Sequence, residues 1–507
     1  MSATSSTEAL LREQLSAMQD AMKELTKENA KLRFELKATL FRMYHGMRSE
    51  RQKIDPKQLH LFMDGLITEA VTASVVEQEK ATRKKKARRT NGRTKLPADL
   101  PRERTVLDLP EDEKKCPHCD ERMTQIGEDV TETLDYVPAI FVIKETVRPK
   151  YACQCKGCRG TIKSAALPPM PVEKGRPGPG LLAHVVTSKW ADHLPLYRQS
   201  KIYSRHGVNL HRSTLCDWTD VVADLLRPIV MAMWKRLKSG SYLQVDETKI
   251  RVLDVKPGKA HQGFLWAYGV PRGEVVFDFS LTRAGKNASR MLEGFRGHGQ
   301  VDGYAGYDAV CARPEITRVG CMAHVRRKFV EARTEKPDEA TFAIAAIQML
   351  YRIEDTIRTA SPDERRCVRQ ERSKLIFETL GDQLRLYEAQ GALPESAFAK
   401  AVAYAKGQWQ HLVHYLEVGE LEIDNNWIEN AIRPVALGRK NFLFCATPNG
   451  GVKAATLFSL VTSCQRFDIN PWKYLRDVID RVSTHPNDRV DELTPLGWKN
   501  ARNSLDA

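Results

Sequence analysis

The sequence predicts a multidomain α/β protein, and three features of the chain support this prediction. Its 507 residues exceed the size of one ordinary domain, so several folded units are expected. The hydrophobic pattern changes from helical spacing before residue 240 to strand-like runs after it. Charged residues make up 28% and hydrophobic residues 42% of the chain, a composition typical of globular rather than disordered proteins.

The sequence argues against a membrane or secreted protein. No stretch approaches eighteen consecutive apolar residues, and the N-terminus lacks the basic-then-apolar order of a signal peptide. We therefore expect a cytoplasmic chain whose thiols stay reduced and which has no membrane partner.

Positive charge is concentrated in two segments. Residues 81–95 contain eight Lys or Arg and no acid, and residues 181–240 contain nine Lys or Arg and four acids. These segments hold thirteen of the fifteen net positive charges, so we expect a polyanionic partner that presents phosphate. A solvated linker would also explain the first segment. Its candidate nucleic-acid contacts are Arg83, Lys84, Lys85, Lys86, Arg88 and Arg89.

The N-terminal segment, 1–44, predicts a leucine-zipper-like coiled coil. Apolar side chains in 8–40 recur at alternating spacings of four and three, as in a heptad repeat. Asn29 falls at an a position, where a single buried Asn fixes the register of a parallel dimer. The predicted dimerisation residues are Leu11, Leu15, Met18, Met22, Leu25, Asn29, Leu32 and Leu36. The alternative is one amphipathic helix that packs on its own protein.

A helical segment and a basic, proline-containing linker (45–110) lead to a cysteine cluster, predicted as a zinc-binding domain over 111–172. Two CxxC pairs are joined there by strand-like runs at 131–138 and 141–153. Such thiolate pairs build a tetrahedral structural Zn²⁺ site whose metal supplies folding energy. The predicted ligands are Cys116, Cys119, Cys155 and Cys158, with Cys153 as the substitute. A redox pair is the competing interpretation.

Residues 173–240 predict a helical, DNA-binding domain. The helical runs are 181–193, 195–208 and 213–226. A turn at Gly207 and a cap at Ser213 favour a helix-turn-helix whose last helix could lie in a groove of DNA. An all-helical packing module with surface arginines fits the same pattern.

Residues 241–460 predict an RNase H-like α/β domain. Strand-like runs occupy 241–253, 263–270, 274–282, 299–304 and 316–324, with a helix-like run at 288–295. Three antiparallel strands followed by strands alternating with helices is the order of that fold. The helix-rich residues 335–410 read as an insertion into the sheet, and 461–507 as a C-terminal helical tail.

Three acids of this domain predict a site for phosphodiester chemistry. Asp246 ends or centres the first strand, and Asp302 lies on the fourth, which is its neighbour in such a sheet. Asp424 and the two asparagines after it cap a helix that places Glu429 in its first turns before Pro434 limits it. Cleavage of this bond uses two Mg²⁺ ions held by oxygen ligands. Acids that spacing alone leaves open are Asp278, Asp308 and Asp424.

Four runs carry a resemblance to a known family: DETKIRVL, VDGYAGYDA, GCMAHVRRKF and IDNNWIENAIRPVALGRKNFLF. They resemble the insertion-sequence-66 family of bacterial DDE transposases. The zipper, the CPHC segment and ADHLPLYRQ resemble the accessory domains of that family in the same order, so the likeness covers nearly the whole chain. It places the family triad on Asp246, Asp302 and Glu429, as catalytic residues and Mg²⁺ ligands. CQCKGC has three cysteines where two are expected, so the zinc ligand choice stays open.

The resemblance implies a DNA transposase of a bacterial insertion sequence. Such a protein binds element ends and target DNA as a homodimer or higher oligomer, with accessory proteins from the same element, and acts in the nucleoid. It catalyses strand cleavage and strand transfer with two Mg²⁺ ions. Further candidate DNA contacts are Arg326, Arg327, Lys328, Arg439 and Lys440.

Three other interpretations of the same residues stand beside this one. Cys321 and His324 form a CxxH, but no second pair lies nearby, so a second zinc site is not expected. An RNase H-like nuclease or resolvase would share the acidic triad without joining ends. A sequence-specific DNA-binding regulator would explain the zipper, the cysteines and the charge, but not the triad.

Overall fold

The computed structural model describes residues 141–152, 162–164, 170–172, 177–256, 259–390 and 395–503. Thr146–Ala507 belong to one compact unit and Lys57–Glu145 to a second. The predicted coiled coil, the basic linker and all five candidate zinc cysteines lie outside the described residues. Within the described part of the chain, no helix combines the length and the hydropathy needed to cross a membrane.

Two short strands form an antiparallel pair in the cysteine-rich segment. They are β1 (Lys150–Ala152) and β2 (Ile162–Ser164). The strand predicted over 141–153 is therefore wrong for residues 141–149, which have no regular secondary structure. The apolar side chains of that stretch lack the burial that stabilises a strand. The exposed ones are Val142, Ile143 and Val147.

Three helices precede the sheet: α1 (Pro179–Trp190), α2 (Leu196–Arg205) and α3 (Arg212–Ser239). They confirm the predicted helical runs, and Gly207 makes the predicted turn with a φ of +77°, which glycine tolerates. The predicted cap at Ser213 is wrong. The helix starts earlier, and its N-cap is His211, whose ring nitrogen Nδ1 accepts the Ser213 amide.

A five-stranded mixed sheet lies at the centre of the described residues. Its strands are β3 (Tyr242–Lys256), β4 (Lys259–Gly269), β5 (Val275–Ser280), β6 (Gly297–Gln300) and β7 (Ile316–Val319). The order is β5-β4-β3-β6-β7. Strands β3, β4 and β5 are antiparallel, and β6 and β7 run parallel to β3. The last seven residues of β4 are all buried, so both faces of the sheet are covered.

The last two strands are shorter than predicted. Strand β6 pairs with β3 only as far as Gln244 and ends at Gln300, so Asp302 lies two residues beyond the strand rather than on it. Strand β7 ends at Val319, and helix α6 (Met322–Ala332) begins inside the segment predicted as strand. Two short helices connect these strands, α4 (Lys286–Met291) and α5 (Asp308–Cys311).

The helix-rich insertion consists of four helices. They are α7 (Pro337–Thr356), α8 (Pro362–Val368), α9 (Lys374–Ala389) and α10 (Ala397–Glu417). Helices α7, α9 and α10 form one apolar core with α6, in which Phe329, Phe377 and Phe398 are buried, whereas α8 has no buried residue. The insertion is therefore packed against the helix that follows β7.

Four α-helices follow in the described residues up to 503: α11 (Asn426–Phe442), α12 (Pro448–Arg466), α13 (Pro471–Arg481) and α14 (Pro495–Asn503). The prediction that Pro434 limits α11 is wrong, because the helix continues through it for eight residues to Phe442. A proline costs one helical hydrogen bond, and burial of the apolar face on both sides of it offsets that loss. The buried residues are Ile428, Ala431, Ile432 and Val435.

Helix α12 covers the free edge of the sheet. The amides of Val275 and Phe277 on β5 donate to the hydroxyls of Ser463 and Ser459 at 3.0 and 2.8 Å. An edge strand otherwise presents unpaired amides that invite pairing with another chain. Two serines of one helix therefore satisfy the outer edge of the sheet.

Candidate active site

Asp246 lies inside β3, opposite Ala267 of β4. Its Oδ1 accepts the backbone amide of Glu247 at 2.8 Å. Burial raises the pKa of Asp246 well above its usual value, and the negative charges of Glu247, Glu429 and Asp302 raise it further. The three predicted acids are therefore close enough to interact through their charges.

Asp302 lies just beyond β6, the neighbour of β3 in the sheet. Its Oδ1 accepts the amide of Tyr304 at 3.0 Å, and its carbonyl accepts a hydrogen bond from Arg318 at 2.8 Å. The next residue, Gly303, donates its amide to the hydroxyl of Tyr404 in the insertion at 3.2 Å. The loop that carries Asp302 is thus held by its own turn, by β7 and by the insertion.

Glu429 lies in the first turn of α11 and faces two side chains of α6. Its Oε1 is 3.8 Å from Nδ1 of His324, and its Oε2 is 3.6 Å from a guanidinium nitrogen of Arg327. Burial lowers the pKa of His324, which favours the neutral ring. Oε1 is buried and has no hydrogen-bond partner among the described residues, so it can still accept a cation or a donor.

A buried pair of amides joins the elements that carry these acids. Gln244 on β3 donates to Oε1 of Gln300 on β6 at 2.8 Å and to the carbonyl of Asp424 at 2.9 Å. Its own Oε1 accepts the amide of Ile428, which directly precedes Glu429, at 3.2 Å. Both glutamines are fully buried, and a satisfied buried network specifies one arrangement of its members. This pair fixes β3, β6 and the start of α11 relative to one another.

Asp246 and Glu429 line a cleft with a volume of about 440 Å³. Its other polar lining residues include Glu247, Asn426, Asn430 and Arg433. Arg433 is exposed on the same face of α11 as the two asparagines. The cleft therefore combines acids for a cation with an arginine and amides for an anion.

The donor set suits a hard divalent cation. Asp246 is half-buried, and the carboxylates of Glu247, Glu429 and Asp302 all raise its pKa. Mg²⁺ prefers carboxylate oxygens and needs only a few of them from the protein. A divalent ion at Asp246, Asp302 and Glu429 would offset the repulsion that raises the pKa of Asp246.

Cys321, His324 and Glu429 form an overlapping group of potential ligands, whose ligand atoms lie within 4.8 Å of one another. The thiol of Cys321 already donates to Oδ1 of Asn425 at 2.9 Å and accepts the Asn425 amide at 3.5 Å. Burial raises the pKa of this thiol, which disfavours the thiolate that soft metals bind. The CxxH therefore joins the starts of α6 and α11 and sets His324 beside Glu429.

The acids that spacing left open have partners of their own. Asp278 on β5 pairs with Arg290 at 2.5 Å, and the carboxylate of Asp308 receives a hydrogen bond from Arg318 at 2.6 Å. Asp424 is buried close to Glu429 and accepts the hydroxyl of Tyr351 in the insertion at 2.6 Å. Its second oxygen accepts the Asn426 amide, so Asp424 fixes the start of α11.

Sequence reasoning missed Glu247, which directly follows Asp246. Its side chain is 2% exposed, forms an ion pair with Arg283 and accepts the hydroxyl of Tyr307 at 2.5 Å. Tyr307 belongs to the turn after Asp302, so Glu247 ties β3 to that loop. An acid inside an apolar strand was the only local signal, because its partners lie 36 and 60 residues away.

Of the predicted DNA contacts that the structure describes, Arg327 and Arg439 interact with other residues of the protein. Arg327 faces Glu429, and Arg439 donates to a threonine hydroxyl and a backbone carbonyl of β3 at 2.9 and 2.7 Å. Arg439 thereby fastens α11 to the sheet. Lys440 is exposed near the end of α11, and Arg326 is half-buried on α6. The basic residues between 83 and 89 lie outside the described residues.

Four family models match the chain. The one described as "Transposase IS66 family" covers residues 174–453, and "IS66 C-terminal element" covers 459–496. "Zinc-finger binding domain of transposase IS66" covers 113–156, a range that includes Cys116, Cys119, Cys153 and Cys155. "Transposase C of IS166 homeodomain" covers 31–105 and overlaps the end of the heptad segment.

Three curated proteins of Sinorhizobium fredii (strain NBRC 101917 / NGR234) are similar to this chain over most of their length. "Uncharacterized protein y4jD" is 34% identical over 94% of this chain and 96% of its own length. "Uncharacterized protein y4hP" is 32% identical over 91% and 88% of the two chains. "Uncharacterized protein y4qI" is 33% identical over 91% and 87%.

Proposed function

This chain belongs to the IS66 family of transposases, enzymes that act on DNA, and we propose that it cleaves and joins DNA strands with Asp246, Asp302 and Glu429. The observation that carries this proposal is geometric: Asp246 and Glu429 line one cleft, and Asp302 follows the strand that pairs with the strand of Asp246. Asp246 and Glu429 are more than 180 positions apart in the sequence and line the same cleft. Carboxyl groups with a perturbed pKa in a cleft often mark a functional site.

The sheet supports an RNase H-like assignment for this domain. Three antiparallel strands are followed by two strands parallel to the first, in the order β5-β4-β3-β6-β7. Asp246 lies on the first strand, Asp302 follows the fourth, and Glu429 comes from a helix packed beside them. An RNase H-like site takes its acids from two adjacent strands and from a helix packed against them, and these three positions agree with that arrangement.

The reaction consists of two displacements at phosphorus, a hydrolysis followed by a transesterification, and in each the proton of the attacking oxygen is balanced by protonation of the leaving 3′-oxygen. In cleavage, an oxygen of water bonds to the phosphorus while the P–O3′ bond breaks, which leaves a free 3′-hydroxyl. In joining, that hydroxyl oxygen bonds to a phosphorus of target DNA while the target P–O3′ bond breaks. Two Mg²⁺ ions held by Asp246, Asp302 and Glu429 would activate the attacking oxygen and stabilise the leaving one.

The chain supplies orientation and charge around this centre. The amide of Glu247 holds Asp246, the turn at Tyr304 holds Asp302, and His324 with Arg327 orients Glu429. Arg433, on the next turn of α11, is placed to bind the phosphate that is attacked. Fixed groups of this kind lower the barrier because they need no rearrangement during the reaction.

The remaining parts of the chain are proposed to bind DNA and to pair two protomers. The matched zinc-finger domain supports a structural Zn²⁺, with Cys116, Cys119, Cys155 and Cys158 as proposed ligands and Cys153 as the substitute. The basic residues of 81–95 and the helices of 173–240 are proposed to hold the element ends, and the heptad of 8–40 to bring two ends together. Asp220 and Asp224 of α3 form ion pairs with Lys453 of α12. The side of α3 that carries these two acids therefore faces α12.

A strand-transfer assay separates this function from its rivals. Purified full-length protein is incubated with Mg²⁺, DNA carrying the ends of its element and a target plasmid. A transposase joins the labelled 3′ end covalently to the target. A nuclease or resolvase would leave cut ends that are not joined to it, and a DNA-binding regulator would leave uncut DNA.

A further inference from the structure

Two large apolar side chains are exposed directly after helix α11. Leu443 is 60% exposed and Phe444 is 42% exposed, and we refer to these two residues as the tip. Leu443 has a φ of +61°, and a positive φ is uncommon for a leucine. Exposed apolar side chains and a strained backbone both lower the stability of the folded chain. They are therefore features that often mark a binding site.

The backbone on both sides of the tip is fixed. Helix α11 ends at Phe442, and the amide of Cys445 donates to the carbonyl of Arg251 on β3 at 2.8 Å. The carbonyl of Cys445 in turn accepts the amide of Leu253 at 3.1 Å. The tip is therefore held between a helix end and a strand. A group held in place before binding loses little entropy when it is bound.

The segment that contains the tip carries cations and no acids, and the strand bonded to Cys445 adds further exposed cations. Residues 430–453 contain four Lys or Arg and no Asp or Glu. Lys249, Arg251 and Lys440 are exposed, and their side chains make no hydrogen bond or ion pair with other described residues. The partner that suits this surface has an apolar face for the tip and negative charges on either side of it. Nucleic acid combines both, because its bases present flat apolar faces between phosphates.

We propose that the tip contacts the bases of the bound DNA, with Phe444 stacked on a base that has left its neighbour, while Lys440, Lys249 and Arg251 hold the adjacent phosphates. This inference rests on the proposed function for the identity of the DNA. Apolar side chains that enter a base step are a known means of opening a duplex. Helix α11 rises about 1.5 Å per residue, so the tip lies roughly 20 Å from Glu429. At about 3.4 Å per base, the contacted base is roughly six nucleotides from the cleaved phosphate.

Fluorescence of 2-aminopurine tests the contact directly. The probe is placed at each position within ten nucleotides of the element end, and full-length protein is added without Mg²⁺. We expect a large change in emission at one or two adjacent positions near the sixth nucleotide. Phe444→Ala should abolish that change and weaken binding by about 5- to 100-fold, the range for loss of one base–aromatic stack. Phe444→Trp should retain both.

Two further variants separate stacking from charge and from general surface effects. Lys440→Ala should keep the emission change but lower the slope of log affinity against log salt by about one, because it loses one phosphate contact. Leu386→Ala, which removes a 48%-exposed leucine of α9, should alter neither quantity. Thermal midpoints of all variants establish that they are folded.

The outcomes distinguish this inference from the proposed function. Loss of the signal in Phe444→Ala supports the inference even if wild-type protein fails to cleave DNA, in which case only the proposed function fails. Unchanged emission and affinity in Phe444→Ala overturn the inference while leaving cleavage by the triad intact. A change in oligomeric state without any change in DNA affinity also overturns it, because the tip would then contact a second copy of the chain.

Discussion

The hydroxyl of Tyr404 in the helical insertion accepts a hydrogen bond from the amide of Gly303, the residue directly after Asp302, at 3.2 Å. A Cβ at position 303 would lie 2.5 Å from the Tyr404 ring, so glycine permits this approach. A second insertion tyrosine, Tyr351, donates to Asp424 ahead of Glu429. The insertion thus supports, from outside the sheet, the loops that precede or carry two of the proposed catalytic acids.

Tyr404→Phe should therefore loosen the Asp302 loop. We expect a loss of about 1 kcal/mol in the free energy of unfolding, since one hydrogen bond is removed. We also expect the Mg²⁺ concentration for half-maximal DNA cleavage to rise several-fold. Tyr387→Phe is the matched control, because its hydroxyl contacts the carbonyl of Glu339 within the insertion. An equal Mg²⁺ requirement in the two variants would contradict a positioning role for Tyr404.

The charge of Asp246 predicts a pH dependence of stability in metal-free protein. Its pKa is raised in the folded state, so its contribution to stability is present below the unfolded pKa near 3.8 and is lost as pH rises through the folded value. Asp246→Asn removes this loss. The variant should have a higher urea midpoint than wild type at pH 8, and the difference should shrink towards pH 4.

Mg²⁺ should act in the opposite direction on the difference in urea midpoint between Asp246→Asn and wild type at pH 8. An ion that binds only the folded state stabilises it, so Mg²⁺ should raise the midpoint of wild type more than that of Asp246→Asn. The measurement is urea unfolding with chelator or with Mg²⁺. Equal effects of Mg²⁺ on both proteins would count against Asp246 as a ligand.

Arg369 should be essential for the stability of the insertion. It is fully buried, forms an ion pair with Glu354 and donates to the carbonyls of Tyr415 and Leu421. Arg369→Met leaves a buried carboxylate with a weaker partner, and such changes cost about 3–5 kcal/mol. Arg385→Met, which removes the exposed pair with Asp382, should cost less than about 1 kcal/mol in the same urea titration. Similar losses in both variants would contradict this ranking.

Zinc content tests the proposed cysteine ligands. Purified full-length protein should contain one Zn²⁺ per chain, and Cys116→Ser or Cys158→Ser should lose it because three thiolates bind it less tightly than four. Cys153→Ser and the exposed Cys367→Ser should keep it. Zinc that survives Cys158→Ser but not Cys153→Ser would transfer the fourth ligand to Cys153. Wild-type protein without zinc would refute the site.

The sequence predicts the strands of the sheet in their observed order, and the signals that allow this are local. Apolar runs at strand spacing predict β3 to β5, and an acid such as Asp246 inside an apolar run is conspicuous without knowledge of its partners. Strand order and the helix start at Asp424 predict Asp302 and Glu429, and the resemblance to a family places its triad on the same residues. The roles of Gln244 and Tyr404 could not be predicted, because each depends on an atom more than fifty residues away.

The errors have the same origin. A proline rule predicted that Pro434 would limit its helix, but the rule weighs one hydrogen bond, whereas burial of Ile432 and Val435 on the sheet is a tertiary effect. The sequence predicts Asp302 on a strand, but β6 stops pairing with β3 at Gln300 although β3 continues to Lys256, and spacing along the chain does not encode that end point.

The central claim is that Asp246, Asp302 and Glu429 perform Mg²⁺-dependent cleavage and joining of DNA. The most direct test compares wild type, Asp246→Asn and Glu429→Gln in the strand-transfer assay, with binding to the same DNA measured in parallel. The matched control is Asp278→Asn, an acid of the same sheet that pairs with Arg290. We predict joined product for wild type and Asp278→Asn, and DNA binding without product for the other two. Mg²⁺-dependent joined product from Asp246→Asn or Glu429→Gln at the wild-type rate would contradict the claim.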